Sequence, residues 1–125
     1  MTNSCPFCTI HPAVEILAET PVALAILDSF PVNPGHTLII PRRHVASYFE
    51  LSTDEQNALW QLVNTAKILL ENRFHPDGFN VGINIGETAG QSVMHVHIHL
   101  IPRFTGDVEQ PRGGVRGVIP GKQSY

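Results

Sequence analysis

Met94-His95-Val96-His97-Ile98-His99-Leu100-Ile101 carries three histidines at two-residue intervals, with an apolar residue between each pair. Side chains alternate across an extended strand. This spacing therefore sends His95, His97 and His99 to one face and Val96, Ile98 and Leu100 to the other. The expected strand covers residues 93–101 and stops at Pro102, with imidazoles roughly 6–7 Å apart along one face. Valine or threonine would serve a plain sheet surface as well, so three in-line histidines point to chemistry. Metal ligation and nucleophilic or acid–base work by neutral imidazole are the two readings.

Just upstream, Gly90-Gln91-Ser92-Val93 offers a glycine, an amide and a hydroxyl beside the histidine row. Backbone that can approach closely, together with side-chain donors, suits an anion such as phosphate. Before that, Phe79, Val81, Ile83 and Ile85 alternate with Asn80, Gly82 and Asn84, the two-residue period of a half-buried strand over residues 79–85. Residues 86–90 read as a loop. Ser52 and Glu55 form a capping box, and Leu59, Leu62, Val63, Ala66, Leu69, Leu70 and Phe74 recur at helical steps until Pro76 and Gly78. On periodicity alone, Leu59 and Trp60 both read as core. Apolar runs at 22–27 and 36–41, with a Pro- and Asn-containing turn between them, read as two further strands. The fold class that follows is α+β: an antiparallel β-sheet meander with one long helix and shorter helical segments.

The chain has 125 residues, of which 42% are apolar and 15% charged, with a net charge of -3. One domain over residues 1–125 is expected, with a core over about 3–107 and a Gly- and Pro-containing tail over about 108–125. The charge argues against sequence-independent nucleic-acid binding, which needs a basic surface. No basic stretch followed by an apolar run opens the sequence, so neither a secretory signal nor a membrane span is expected. The cytoplasm is the default compartment, where Cys5 and Cys8 stay reduced.

Taken together, His95-Val96-His97-Ile98-His99-Leu100-Ile101, the stretch from Gly35 to His44 with Leu27-Asp28 ahead of it, and the loop from Asn84 to Ser92 resemble the histidine triad family. The resemblance spans residues 3–107. It implies a HIT-like fold and a nucleotide hydrolase or nucleotidyl transferase, commonly homodimeric. It also implies that the middle histidine, His97, attacks the α-phosphorus of a purine nucleotide and that water cleaves the resulting nucleotidyl-histidine. On the same resemblance His99, Gln91 and Ser92 steady phosphate oxygens or the leaving group, and Asp28 accepts from ribose hydroxyls. Asn84 contacts phosphate or sugar, and Gly90 and Val93 belong to the same nucleotide loop. An alternative for Asp28 is a purely turn-forming role before Pro31. His36 is a strand-start residue of the pattern. A neutral imidazole is the nucleophilic form, and its ordinary pKa of about 6.5 keeps it mostly neutral at pH 7.

Cys5-Pro6-Phe7-Cys8 has the spacing of a zinc knuckle and lacks the preceding apolar strand of a redox pair. A knuckle needs two more ligands. Bacterial members of the resembled family imply His44 and His95, and structural zinc as the cofactor. His11, close to Cys8, is the competing local ligand, and a pair of thiols without metal is the other alternative. Arg112 and Arg116 in the tail are candidates for polyphosphate or for plain solvation. Residues 79–82, with Pro102, Arg103, Gly106 and Asp107, lean towards the dinucleoside polyphosphate branch, while the phosphoramidate branch shares most of the remaining pattern. Three functional classes stay open. They are a nucleotide hydrolase acting through His97, a non-catalytic nucleotide sensor with the same pocket, and an enzyme whose His95, His97 and His99 hold one catalytic ion.

Overall fold

The apolar runs at 22–27 and 36–41 are nearly unbroken because both faces of the strands they form are covered. In the computed structural model, which describes residues 4–125, these are β2 (Ala23–Leu27) and β3 (Thr37–Pro41). Asn3, the first residue of the expected core, lies outside the described residues. The two strands pair antiparallel from Ala23 against Pro41 to Leu27 against Thr37. Ala23, Ala25 and Ile39 enter the cluster beneath the long helix. Leu24, Ile26, Leu38 and Ile40 point the other way and are covered by Phe7, Ile10 and Val14 of the N-terminal segment.

Three more strands complete an antiparallel sheet: β1 (Ile16–Glu19), β4 (Gly78–Ile83) and β5 (Ile98–Arg103), in the order β1-β2-β3-β5-β4. Strands β1 to β3 form a meander. The helix then carries the chain to the far edge, and β5 returns to fill the gap between β3 and β4. Isolated 3-10 turns at Tyr48–Glu50, Glu87–Ala89 and Gly114–Val118 are the shorter helical segments. The α+β architecture is as expected, but the strand order departs from a simple meander. β1 is a strand to which the sequence pattern points weakly, because it is four residues long and its register shifts between Ile16 and Ala18.

The helix α1 (Thr53–Phe74) starts where the capping box places it. Ser52 Oγ accepts from the Glu55 N–H at 3.1 Å and Glu55 Oε1 accepts from the Ser52 N–H at 2.9 Å. Arg43 grips the same carboxylate through two nitrogens, at 3.0 and 2.9 Å, and this pairing holds the Glu55 carboxyl down to about 2. Leu59, Leu62, Val63, Ala66 and Leu70 form the buried stripe. Trp60 and Leu69 are exposed, contrary to the expectation of core. One residue is 100° of helix turn, so both flank the stripe, and the Trp60 indole N–H donates to the Tyr48 hydroxyl at 3.1 Å. At the other end Gly35, with φ at 85°, backs onto Phe74, where a Cβ would come within 2.9 Å of Cδ2. That close approach sets the turn leading into His36. Among the described residues no helix is long and apolar enough to cross a membrane.

Candidate active site and metal centre

β5 begins at Ile98, so His95 and His97 lie ahead of the strand and only His99 lies in it. This corrects the expected strand start near Val93. The last ladder pairs are Ile39 with Ile98 and Ile83 with Ile98. Before them the backbone is held separately, by the Val96 N–H donating to the Val45 carbonyl at 2.8 Å. With His95 and His97 outside the pleat, the three imidazoles take different surroundings. His95 is fully buried, while His97 and His99 are partly exposed. They do not converge on one point, which removes the geometric basis for a single ion held by all three.

The buried His95 faces the cysteines. Its Nδ1 lies 3.4 Å from Cys5 Sγ, 3.6 Å from Cys8 Sγ and 3.1 Å from His44 Nδ1, and His44 Nδ1 lies 3.2 Å from Cys8 Sγ. All four donor atoms fall within 4.8 Å of one another. A tetrahedron with Zn–N of about 2.0–2.1 Å and Zn–S of about 2.3 Å has edges of roughly 3.3–3.8 Å. The donor set, two sulfurs and two imidazole nitrogens, and its spacing both fit such an ion. On the far side of the ring, His95 Nε2 donates to the Pro41 carbonyl at 2.8 Å. That bond leaves the Nδ1 lone pair aimed into the cluster, as a ligand requires. Burial lowers the His95 pKa, and burial together with the adjacent Cys5 raises that of the Cys8 thiol. A cation would reverse the thiol's direction and favour thiolate. His11 is not part of this cluster. Its Nδ1 accepts the Ala13 N–H at 3.0 Å and its side chain borders the neighbouring cavity.

That cavity, of about 420 Å³, brings together Asp28, Asn84, Gly90, Gln91, Ser92, Val93, His97 and His99. Its apolar wall comes from Ile26 and Leu38 of the sheet and from Phe7, Ile10 and Val14. Phe7 lies between the two cysteines in sequence, and its ring meets the His97 ring edge-on at 5.0 Å. His97 Nδ1 donates to the carbonyl two residues earlier, His95 O, at 3.0 Å. The lone pair therefore resides on Nε2, the nitrogen free to react. A phosphorus atom held there would lie against that lone pair.

A third imidazole stands behind His99. The Val32 N–H donates to His36 Nδ1 at 3.1 Å, so the proton of neutral His36 sits on Nε2 and is directed at His99 Nδ1, 3.0 Å away. His99 in turn carries its own proton on Nε2, presented as a donor. Burial pushes His99 down to about 4, helped by the charges of His97 and His36 and opposed by Asp28. Burial also lowers His36, against the pull of Asp28. Asp28, His36 and His99 form a second group with metal-ligand spacing. The Val32 amide excludes that use, because a metal needs the Nε2 lone pair that this tautomer lacks. Sequence pattern marked His36 only as a strand-start residue. Its part in orienting His99 depends on a diagonal contact across β3 and β5 that no local motif signals.

Asp28 serves its turn and faces the cavity at once. Oδ1 accepts the Phe30 N–H at 2.9 Å, and Oδ2 lies 3.6 Å from His36 Nε2. Gln91 differs from its expected role as a direct donor. Its side-chain amide donates to the Ala46 carbonyl at 2.7 Å and to the Val93 carbonyl at 3.1 Å, and its oxygen accepts the Gly86 N–H at 2.9 Å. With both N–H bonds so used, the buried Gln91 clamps the loop. Ser92 is exposed at the rim, and Gly90, at φ 96°, turns the backbone under it. In the tail, Arg112 and Arg116 each stack on the Tyr125 ring at 4.6 Å and do not border this cavity.

Comparison with known proteins adds four findings. The HIT domain family matches residues 12–106. An uncharacterised HIT-like protein of Methanocaldococcus jannaschii is 39% identical over 114 residues, covering 88% of this chain and 87% of that one. A bis(5'-adenosyl)-triphosphatase of Dictyostelium discoideum is 39% identical over 95 residues, covering 76% of this chain and 64% of that one. The crystal structure of a Zn-bound histidine triad family protein from Mycobacterium smegmatis matches with a TM-score of 0.78 and 32% identity, covering 86% and 80% of the two chains.

Proposed function

The chain belongs to the HIT domain family, and on that premise we propose a hydrolase that cleaves at the α-phosphate of a purine nucleotide derivative through a covalent adduct on His97. The observation that carries this reading is the His97 Nδ1 bond to the His95 carbonyl at 3.0 Å, made at the wall of a cavity of nucleotide size. In the proposed reaction the base lies among Ile26, Leu38, Phe7 and Phe30, and Asp28 Oδ2 accepts from the ribose. Ser92, the backbone of Gly90 and Val93, and Asn84 surround the phosphate. His97 Nε2 forms a bond to the α-phosphorus, the leaving group departs with its bonding pair, and His99 Nε2–H donates a hydrogen bond to the departing atom or a phosphate oxygen. Water then cleaves the nucleotidyl-histidine. Preorganised donors of this kind usually supply the largest share of catalysis. Gln91 acts through the loop it clamps and is a positioning residue.

Cys5, Cys8, His44 and His95 would hold zinc, which with four protein ligands closes the site and ties the N-terminal segment to the chain entering β5. The proposed working form is a homodimer in the cytoplasm, where both cysteines, which form no disulfide, stay reduced; sedimentation of the purified protein tests the dimer. The test of the reaction is alkaline quenching of the protein with a labelled dinucleoside polyphosphate or nucleoside phosphoramidate. A phosphoramidate adduct mapped to His97 is the expected result. A protein that binds nucleotide tightly and forms no adduct in a single turnover would instead be a sensor.

A further inference from the structure

Residues 5–14 build part of two sites at once. Cys5 and Cys8 supply both sulfurs of the donor cluster, while Pro6, Phe7, Thr9, Ile10, His11 and Val14 border the nucleotide-sized cavity. Phe7, between the cysteines, bridges the two. Its ring meets the His95 ring edge-on at 6.0 Å and the His97 ring at 5.0 Å. Ile10 and Val14 join it in covering Leu24, Ile26, Leu38 and Ile40, and Ile26 and Leu38 are themselves cavity wall.

The backbone hydrogen bonds of this segment are local. Cys5 O accepts the Cys8 and Thr9 N–H groups at 3.2 and 3.4 Å, and His11 O accepts the Val14 N–H at 3.0 Å. Pairing with the sheet begins at Glu15, whose carbonyl accepts the Leu27 N–H at 3.0 Å. Ahead of that point the polar tethers to the body of the protein come from the sulfurs. Cys5 Sγ lies 3.4 Å from His95 Nδ1, and Cys8 Sγ lies 3.2 Å from His44 Nδ1 and 3.6 Å from His95 Nδ1.

A thiol is a weak hydrogen-bond partner, whereas zinc holds four ligands in a closed tetrahedron. Without the ion, the segment keeps its place through weak thiol contacts and the apolar side chains of Phe7, Ile10 and Val14. A nucleotide entering the cavity then has to order the backbone that walls it, at an entropic cost that rises with every residue fixed. With the ion in place that ordering is already done. We propose that residues 5–14 couple the zinc site to the nucleotide cavity. Zinc raises nucleotide affinity by fixing Phe7, Ile10 and Val14, and nucleotide in turn tightens zinc by the same factor, as linkage requires. The protein's hold on nucleotide thereby follows the zinc supply. This coupling rests on the nucleotide and zinc readings above; it concerns binding alone and does not depend on the chemistry at His97.

The test measures AMP affinity of the zinc-loaded and the chelated protein, and the rate at which excess chelator strips zinc with and without saturating AMP. Zinc should tighten AMP binding by about 10-fold, inside the range of ordinary coupling between sites, and AMP should slow zinc loss several-fold. AMP's own affinity for zinc would speed the loss, so a slowing reports the protein. Phe7→Ala with Ile10→Ala keeps all four ligands. That variant should hold its zinc and lose it at one rate whether or not AMP saturates it. The stripping rates start from the zinc-loaded chain, so they decide the matter even where the zinc-free chain unfolds. Zinc loss that AMP does not slow, or a double variant that AMP slows as much as wild type, overturns the coupling alone. A chain that takes up no zinc overturns the zinc reading, and a zinc-loaded chain that binds no AMP overturns the nucleotide reading. Either result takes the coupling with it.

Discussion

Two groups of histidines lie side by side in this protein, and the backbone atom behind each ring separates their chemistry. At His95 a carbonyl, Pro41 O, takes the Nε2 proton, so the opposite nitrogen offers a lone pair to a cluster of two sulfurs and His44 Nδ1. At His36 an amide, Val32 N–H, occupies Nδ1, so the opposite nitrogen offers a proton to His99. One arrangement presents a lone pair and the other a donor from the same side chain. His97 belongs to the first kind, with the His95 carbonyl behind it, but it opens onto a cavity, where in the proposed reaction its lone pair would meet substrate instead of metal. The tautomer that a backbone partner enforces decides which job an imidazole does.

The largest effect that would break this contrast is at His97. His97→Ala should lower turnover by roughly 10³-fold or more, as loss of a nucleophile does, and should abolish the adduct while nucleotide binding persists; adduct formation in that variant would place the nucleophile elsewhere. Next is the ligand group. Removing zinc, or Cys5→Ser, should cost several kcal/mol and lower Tm by on the order of 10 °C. Metal analysis should fall from one zinc per chain to none. A chain that carries no zinc as purified and is indifferent to chelators would show that the cluster is held by hydrogen bonds alone.

His36→Ala tests the donor group. Without it His99 has no fixed tautomer, and kcat should drop roughly 10- to 100-fold, the range for orienting partners, with KM little changed. Equal loss in binding and turnover would make His36 structural only. Phe7→Ala, which removes the ring packed on His97, should raise KM several-fold and leave the zinc content intact, separating the cavity wall from the knuckle that carries it.

The smallest effect is on stability against pH. His99 is held near 4 in the fold, against about 6.5 for a free imidazole, and His36 moves the same way. As pH falls, the unfolded chain binds these protons first, so stability declines from about pH 6.5 downward and the full loss is reached near pH 4. Denaturant midpoints at pH 7.5 and 5 should show the decline, and His99→Gln should reduce it. A midpoint that rises on acidification would contradict the burial of these rings.

Much of the frame was readable along the chain because it is local. The Ser52–Glu55 box starts α1 where expected, and the runs of β2 and β3 are apolar throughout because both faces are covered. The nucleotide-loop residues named in advance do border one cavity. What could not be read depends on which strand lies beside which. β5 enters between β3 and β4, which places His99 next to Leu38 and Gly82 and brings His36 within reach. Gln91 has two carbonyls for partners, one of them 45 residues away at Ala46, and nothing in its flanking sequence indicates that its amide is consumed.

By itself the sequence determined the long helix and four of the five strands, since periodicity and capping act within a few residues of one another, and its resemblance pointed to the family. Only the tertiary structure decided what each histidine is for. An imidazole has two nitrogens and one mobile proton, and the groups that settle where that proton sits, Pro41 O for His95 and His36 for His99, come from 54 and 63 residues away.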